Sequence, residues 1–178
     1  PRKSIININL PEEYFSVTAI RDTITRNLTV HKNDFKIGFN GDENPSLAIK
    51  KKYSLTKERA NLYKNYYTYL YGLPMKLKDE GSIIDQKVER KTFKGKEYLV
   101  LKVNYLKEVG KDTWYFYFDP KTYAMEVYQF FKDTKDSGEY ILLSELETIN
   151  DIKMPKIRAW YYNKDDKYLG TDILSKIK

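Results

Sequence analysis

Residues 114–131 read WYFYFDPKTYAMEVYQFF, and no other stretch limits the fold as strongly. Asp119-Pro120-Lys121-Thr122 has turn chemistry: proline presets φ at the first central position, and the aspartate can bond the backbone beyond it. The aromatic flanks suit extended chain. A hairpin about that turn pairs Phe118 with Tyr123, Phe116 with Met125 and Trp114 with Val127. One face of the ribbon is then wholly apolar or aromatic. The other carries Tyr115, Tyr117, Tyr128 and Phe130 and is half polar. Such a ribbon predicts an antiparallel sheet whose inner face holds either a lid of protein or a ligand.

The remaining chain repeats this pattern. Strands are predicted over 4–10, 14–20, 23–30, 34–39, 83–94, 97–106, 113–118, 123–131, 139–148, 156–163 and 167–177, with a break at Pro11-Glu12-Glu13 and a turn over 150–155. Gly95-Lys96 reads as a two-residue hairpin loop that sets Glu89 opposite Lys102 and puts Leu99, Leu101, Val103 and Tyr105 on one face. One long helix is predicted over 54–71, capped by Ser54 or Thr56 and ended by Gly72 and Pro74. Leu55, Leu62, Tyr66, Leu70 and Leu73 form one stripe, with Tyr63, Tyr67 and Tyr71 beside it. The stretch over 76–81 reads as a polar connection. About ten strands cannot stay flat; they must curl or split into layers. The expected fold is mostly β within an α+β class: a strongly curved antiparallel sheet, a half-barrel, with one principal helix over its concave face. A single domain over 1–178 is expected, since no linker or repeat interrupts the chain.

Composition narrows the function classes. With 178 residues and 41% hydrophobic content, the chain can build a real core. The net charge of +7 permits attraction to anions, but lysines sit mainly at turns and outer positions, so no nucleic-acid surface is expected. Lys50-Lys51-Lys52 reads as a solvated run. There is no cysteine, which removes disulfides, thiolate metal sites and a cysteine nucleophile. His31 is the sole histidine and lies in a turn, so no metal site is expected. The acid pairs Asp42/Glu43, Asp133/Asp136 and Asp165/Asp166 fall in loops, where carboxylates serve turns and solvent. No phosphate-binding glycine loop and no Gly-x-Ser-x-Gly elbow occur. No enzyme, catalytic residue or cofactor is expected. No signal-peptide pattern and no apolar run near the roughly 18 residues of a membrane span occur. A processing boundary ahead of Pro1 is expected, so membrane association would be peripheral or through a preceding segment.

The tyrosines are the chemical signature. Seventeen of them supply large apolar bodies with polar tips, which serve half-buried surfaces and interfaces. On the helix, Tyr63, Tyr66, Tyr67 and Leu70 face the sheet; on the inner sheet face stand Trp114, Phe116, Phe118, Met125 and Val127. These nine residues either pack against one another or line a cavity for an amphiphile.

Several segments resemble a known group. They are Gly38-Phe39-Asn40-Gly41, residues 65–74 (NYYTYLYGLP), residues 93–98 (FKGKEY), residues 114–120 (WYFYFDP), and 150–155 followed by Trp160-Tyr161. In these the chain resembles uncharacterised bacterial cell-envelope proteins similar to the lipoprotein-carrier (LolA/LolB-like) superfamily. The resemblance implies a half-barrel with helices across its mouth that binds acyl chains or other hydrophobic ligands. It implies a periplasmic or outer-membrane lipoprotein setting and an envelope protein as partner. Members begin with a long helix before the first strand, and this chain enters strand-like sequence at once. The two function classes carried forward are a hydrophobic-ligand binder and an assembly module with a filled core.

Overall fold

The computed structural model describes residues 1–9, 14–149 and 151–175. The expected break at Pro11-Glu12-Glu13, the ends of the predicted strands at Leu10 and Ile177, and the turn residue Asn150 lie outside the described residues. Mostly strand, the chain contains β1 (Arg2–Asn9), β2 (Tyr14–Arg21), β3 (Ile24–His31), β4 (Asp34–Phe39), β5 (Ser82–Ile84), β6 (Glu89–Phe93), β7 (Lys96–Tyr105), β8 (Thr113–Phe118), β9 (Met125–Phe131), β10 (Glu139–Ile149), β11 (Ile152–Tyr162) and β12 (Tyr168–Leu174). Helices are α1 (Leu47–Lys52) and α2 (Lys57–Gly72), followed by a 3-10 turn, Met75–Lys78. The strand order is β4-β3-β2-β1-β12-β11-β10-β9-β8-β7-β5, with β6 also on β7, and the sheet is not closed into a barrel.

The fully antiparallel expectation needs one correction. β1 pairs with β12 in parallel, from Arg2 opposite Gly170 to Ile6 opposite Leu174. Two further differences are local. The predicted strand over 83–94 is two short strands, β5 and β6, both paired with β7. The loop-rich stretch after Asn40 contains α1, capped by Ser46, whose hydroxyl accepts from the Ile49 N–H at 3.4 Å.

The contacts divide the chain into two compact units. The first comprises residues 1–72, 145–157 and 170–178; the second comprises 73–144 and 158–169. In the first unit β1 to β4 form a meander of tight turns, with Asp22 and Lys32 in the left-handed region. Thr56 stands just ahead of helix α2, and its Oγ1 accepts from the Arg59 N–H at 3.2 Å. The helix packs through Ala60, Tyr67, Leu70 and Tyr71, which are buried, and Tyr67 stacks on Phe15 of β2 with ring centroids 5.9 Å apart. Ile6, Phe15, Val17, Leu28, Val30 and Leu174 complete this core. Each such side chain contributes about 1.5–3 kcal/mol by leaving water.

In the second unit β6 to β9 form successive hairpins. The β6–β7 loop is Lys94-Gly95, with φ of 50° and 80°, a two-residue turn of the type whose twist matches paired strands. This places Phe93 opposite Lys96 and Glu89 opposite Val100 rather than Lys102. Glu89 instead pairs with Lys91 at 2.7 Å and Lys87 at 3.8 Å. The aromatic hairpin is also in a different register from the expected one. Trp114 faces Phe130, Phe116 faces Tyr128 and Tyr117 faces Val127, with a bulge at Glu126 before Phe118 meets Met125. The cause lies in the loop. Asp119 accepts from the Lys121 and Thr122 N–H groups, both at 2.9 Å, and Tyr123 turns left-handed at φ 58°. Both faces of this ribbon are covered: Phe116 and Tyr128 on one side, Tyr117 and Val127 on the other, are all buried.

Candidate functional site

One row of side chains crosses the first unit from strand to strand: Asp172, Ser4, Ala19, Arg26, Phe39. The adjacent row reads Leu174, Ile6, Val17, Leu28, Ile37 and is wholly apolar. The first row is unusual in having two small residues at its centre. Where Ile6 and Val17 fill the adjacent row, Ser4 and Ala19 leave room. A cavity of about 240 Å³ stands over them. Its floor is Ser4, Val17, Ala19 and Leu28, and Tyr53, Leu55, Tyr63 and Tyr67 from α2 and the segment before it wall it in. At roughly 30 Å³ per molecule of liquid water, the space equals about eight waters.

Four arginines, Arg2, Arg21, Arg26 and Arg59, line the same cavity, and among the described residues no acidic side chain does. Three of them continue the apolar phase of their strands: Arg2 ahead of Ser4 and Ile6, Arg21 after Val17 and Ala19, Arg26 before Leu28 and Val30. The side chains thus point to the side α2 covers, where period-2 alternation ordinarily places apolar residues. Arg2 is tethered: its Nη2 donates to Oδ1 of the fully buried Asp172 at 3.3 Å. Burial disfavours the Arg2 charge, but Asp172 and then Tyr67, Tyr66 and Tyr63 outweigh it, and its pKa is raised. Arg59 Nη2 donates to the Tyr63 hydroxyl at 3.1 Å, with the guanidinium 5.1 Å from the centre of that ring. Among the described residues, Arg21, Arg26 and Arg59 make no ion pair.

Tyr67 lies at the back of the site, only 2% exposed. Burial first, and then Asp172, push its phenol far above the ordinary range, while Arg2 and Ser4 work the other way. The hydroxyl therefore stays protonated and can donate a hydrogen bond at any physiological pH. The arrangement is a small concave space with fixed cations, phenol hydroxyls and apolar walls. Among the described residues it holds no nucleophile–base pair, and no group of three His, Cys, Asp or Glu could hold a metal ion.

The nine residues singled out from sequence divide between the units. Tyr63 and Tyr67 line the cavity together, with ring centroids 6.3 Å apart. Tyr66 meets the Tyr67 ring edge-on at 5.5 Å but is itself 38% exposed, and Leu62 of the same predicted stripe is 60% exposed. Leu70 is fully buried beneath the helix. In the second unit Trp114 stacks with Phe116 at 6.0 Å and Phe130 at 4.8 Å, and Phe118 pairs with Met125. Val127 stands on the opposite face, in a cluster with Tyr98, Val100 and Tyr117, because the register differs from the expected one by three residues.

A family described as being of unknown function, DUF6503, matches residues 1–176. The chain belongs to the DUF6503 family. No curated protein and no solved structure matches it. Family membership thus assigns no activity, and the geometry carries the functional argument.

A second concavity, in the second unit, is an open groove of about 420 Å³. Lys91, Lys102, Tyr115, Tyr117, Gln129 and Phe131 line it. Its floor is a polar chain: the Tyr117 hydroxyl donates to Gln129 Oε1 at 2.6 Å, and Gln129 Nε2 donates to Asn163 Oδ1 at 2.9 Å. Asn163 Nδ2 in turn donates to the carbonyls of Phe130 and Ser137. Lys91 lies 5.0 Å from the Tyr115 ring centre and is paired with Glu89. The polar floor of this groove is thus satisfied by its own hydrogen bonds. The arginine cavity is the stronger site, and sequence reasoning missed its cations. The available signal was arginine at positions in phase with apolar neighbours.

Proposed function

We propose that the protein binds a hydrophobic or amphiphilic ligand without chemistry, seating part of it in the cavity over Ser4 and Ala19. The observation that carries this reading is the gap in the packing row, floored by Val17 and Leu28 and walled by Leu55 and the Tyr63 and Tyr67 rings. Each methylene transferred there contributes about 0.8 kcal/mol. The volume suits a head group and the first part of a chain rather than a whole lipid. The resemblance to lipoprotein carriers supports an acyl-bearing ligand, a curved sheet with a helical cover and a setting in the bacterial cell envelope.

The test is mass spectrometry of an organic extract of the purified protein, beside Ala19→Leu, which fills the space, and Lys51→Ala, a surface control. A lipid near one per protein, lost only in a folded Ala19→Leu protein, is the expected result. A wild-type protein that is empty and takes up no long-chain amphiphile in solution overturns the reading. That outcome favours the assembly-module reading, for which the filled faces around Phe116, Tyr128 and Val127 speak.

A further inference from the structure

Resting on the cavity as the ligand site, we propose that what it recognises is an oxyanion, a phosphate or carboxylate group, gripped by Arg21, Arg26 and Arg59. Arg2, tethered by Asp172, shapes the inner wall.

Composition does not explain the cluster. The chain has 26 lysines and only six arginines, yet among the described residues four arginines and no lysine line this cavity. Guanidinium differs from ammonium in the respect that matters: its planar fork meets two oxygens of a phosphate or carboxylate at once. Like charges gathered around one small space repel, and among the described residues only Arg2 has a carboxylate against it. An anion would remove that repulsion. The polar tips point the same way. Tyr67 and Tyr63 present hydroxyls on the helix side, and buried Ser4 adds one on the floor. A bound oxyanion could accept from all of these, whereas a neutral or cationic head would leave the arginines unanswered. Arg59 is held over Tyr63, so its fork is partly oriented before a ligand arrives.

Calorimetric titration with dodecyl phosphate, dodecanoate, dodecanol and inorganic phosphate tests the inference. One of the anionic amphiphiles should bind about ten- to a hundredfold tighter than dodecanol, the worth of one charge-assisted hydrogen bond or slightly more. Arg26→Gln and Arg59→Gln should each erase most of that margin and leave dodecanol binding intact; Arg59 is exposed on a helix, so this variant tests the idea even if Arg26→Gln fails to fold. Rising salt should weaken the anions alone. Equal affinity for dodecanol and both anions overturns the oxyanion inference and leaves the amphiphile reading standing. Inorganic phosphate binding as tightly as dodecyl phosphate, with no dodecanol binding, keeps the oxyanion and overturns the amphiphile. No binding of any probe overturns both.

Discussion

Arg2 Nη2 lies 3.3 Å from Asp172 Oδ1, so the carboxylate of the twelfth strand positions a cation of the first. Asp172 is fully buried, and the Arg2 side chain is 36% exposed. Breaking a buried pair from one side costs about 3–5 kcal/mol, and the half-open partner puts this one at the low end. Asp172→Ala should lower the unfolding free energy by about 3 kcal/mol in urea titration. A loss under about 1 kcal/mol would show that the pair is screened like a surface ion pair.

Stability should fall in alkali. Burial, and secondarily Tyr115, push the Tyr117 phenol up to about 12 from an ordinary 10. Between those values the unfolded chain loses a proton that the folded chain keeps, so fewer protons are bound unfolded and stability drops as pH rises. The contribution is fully present below pH 10 and gone above about 12. Tyr67, raised by burial and then by Asp172, acts with the same sign. Urea midpoints measured across this window should decline for the wild type and decline less steeply for Tyr117→Phe. Identical slopes would contradict the assignment to Tyr117.

Two glycines should respond differently to alanine. A Cβ on Gly170 would lie 2.1 Å from the Arg2 carbonyl oxygen, inside the parallel ladder. A Cβ on Gly95, at φ 80°, would meet nothing within 4 Å. Gly170→Ala should cost about 3 kcal/mol or more through backbone displacement, and Gly95→Ala about 1–2 kcal/mol through left-handed strain alone. Thermal melts of the two variants decide it; equal losses would mean that the ladder shifts freely.

The aromatic hairpin should carry an acid-sensitive clamp. Lys96 Nζ sits 2.8 Å from Asp119, and with the Thr122 and Lys121 N–H groups it holds that carboxyl well below the usual range. Its stabilisation is therefore present above the ordinary 3.8 and lost as pH falls through the lowered value. Hydrogen exchange of the loop amides should accelerate in strong acid for the wild type. Asp119→Asn should exchange faster already at neutral pH and change less on acidification. An unchanged neutral-pH exchange rate in Asp119→Asn would refute the clamp.

The contrast between the two hairpins shows what local sequence encodes. Period-2 alternation reveals strands, and the Gly95 loop differs from expectation by two residues, so Leu99, Leu101 and Val103 keep a common face. At the Asp119 loop the difference is three over most of the ribbon, and parity inverts: Trp114 and Phe116 join Tyr128 and Phe130, while Val127 moves to the far side. Tyrosine has no marked preference for the left-handed conformation that Tyr123 adopts, so this loop length is not written in residue types. Helix α2 was legible in extent, but Leu62 and Tyr66 face outward because Ala60 lets the helix lie close on the other side. The arginine cavity depends on which strands become neighbours. Arg26 sits on one row with Ala19, Ser4 and Asp172 only through three pairings, one of them parallel and remote in sequence.

That parallel pairing also sets an order of events during synthesis. Arg2 and Asp172 are 170 positions apart, whereas the β1–β4 meander closes by short turns. At about 5–20 residues per second, the meander can form on the ribosome roughly seven to twenty-seven seconds before β12 emerges. Throughout that interval β1 presents an uncapped edge, open to pairing with another nascent chain. The vulnerable species in expression is then the waiting meander, and slower translation would lengthen its exposure.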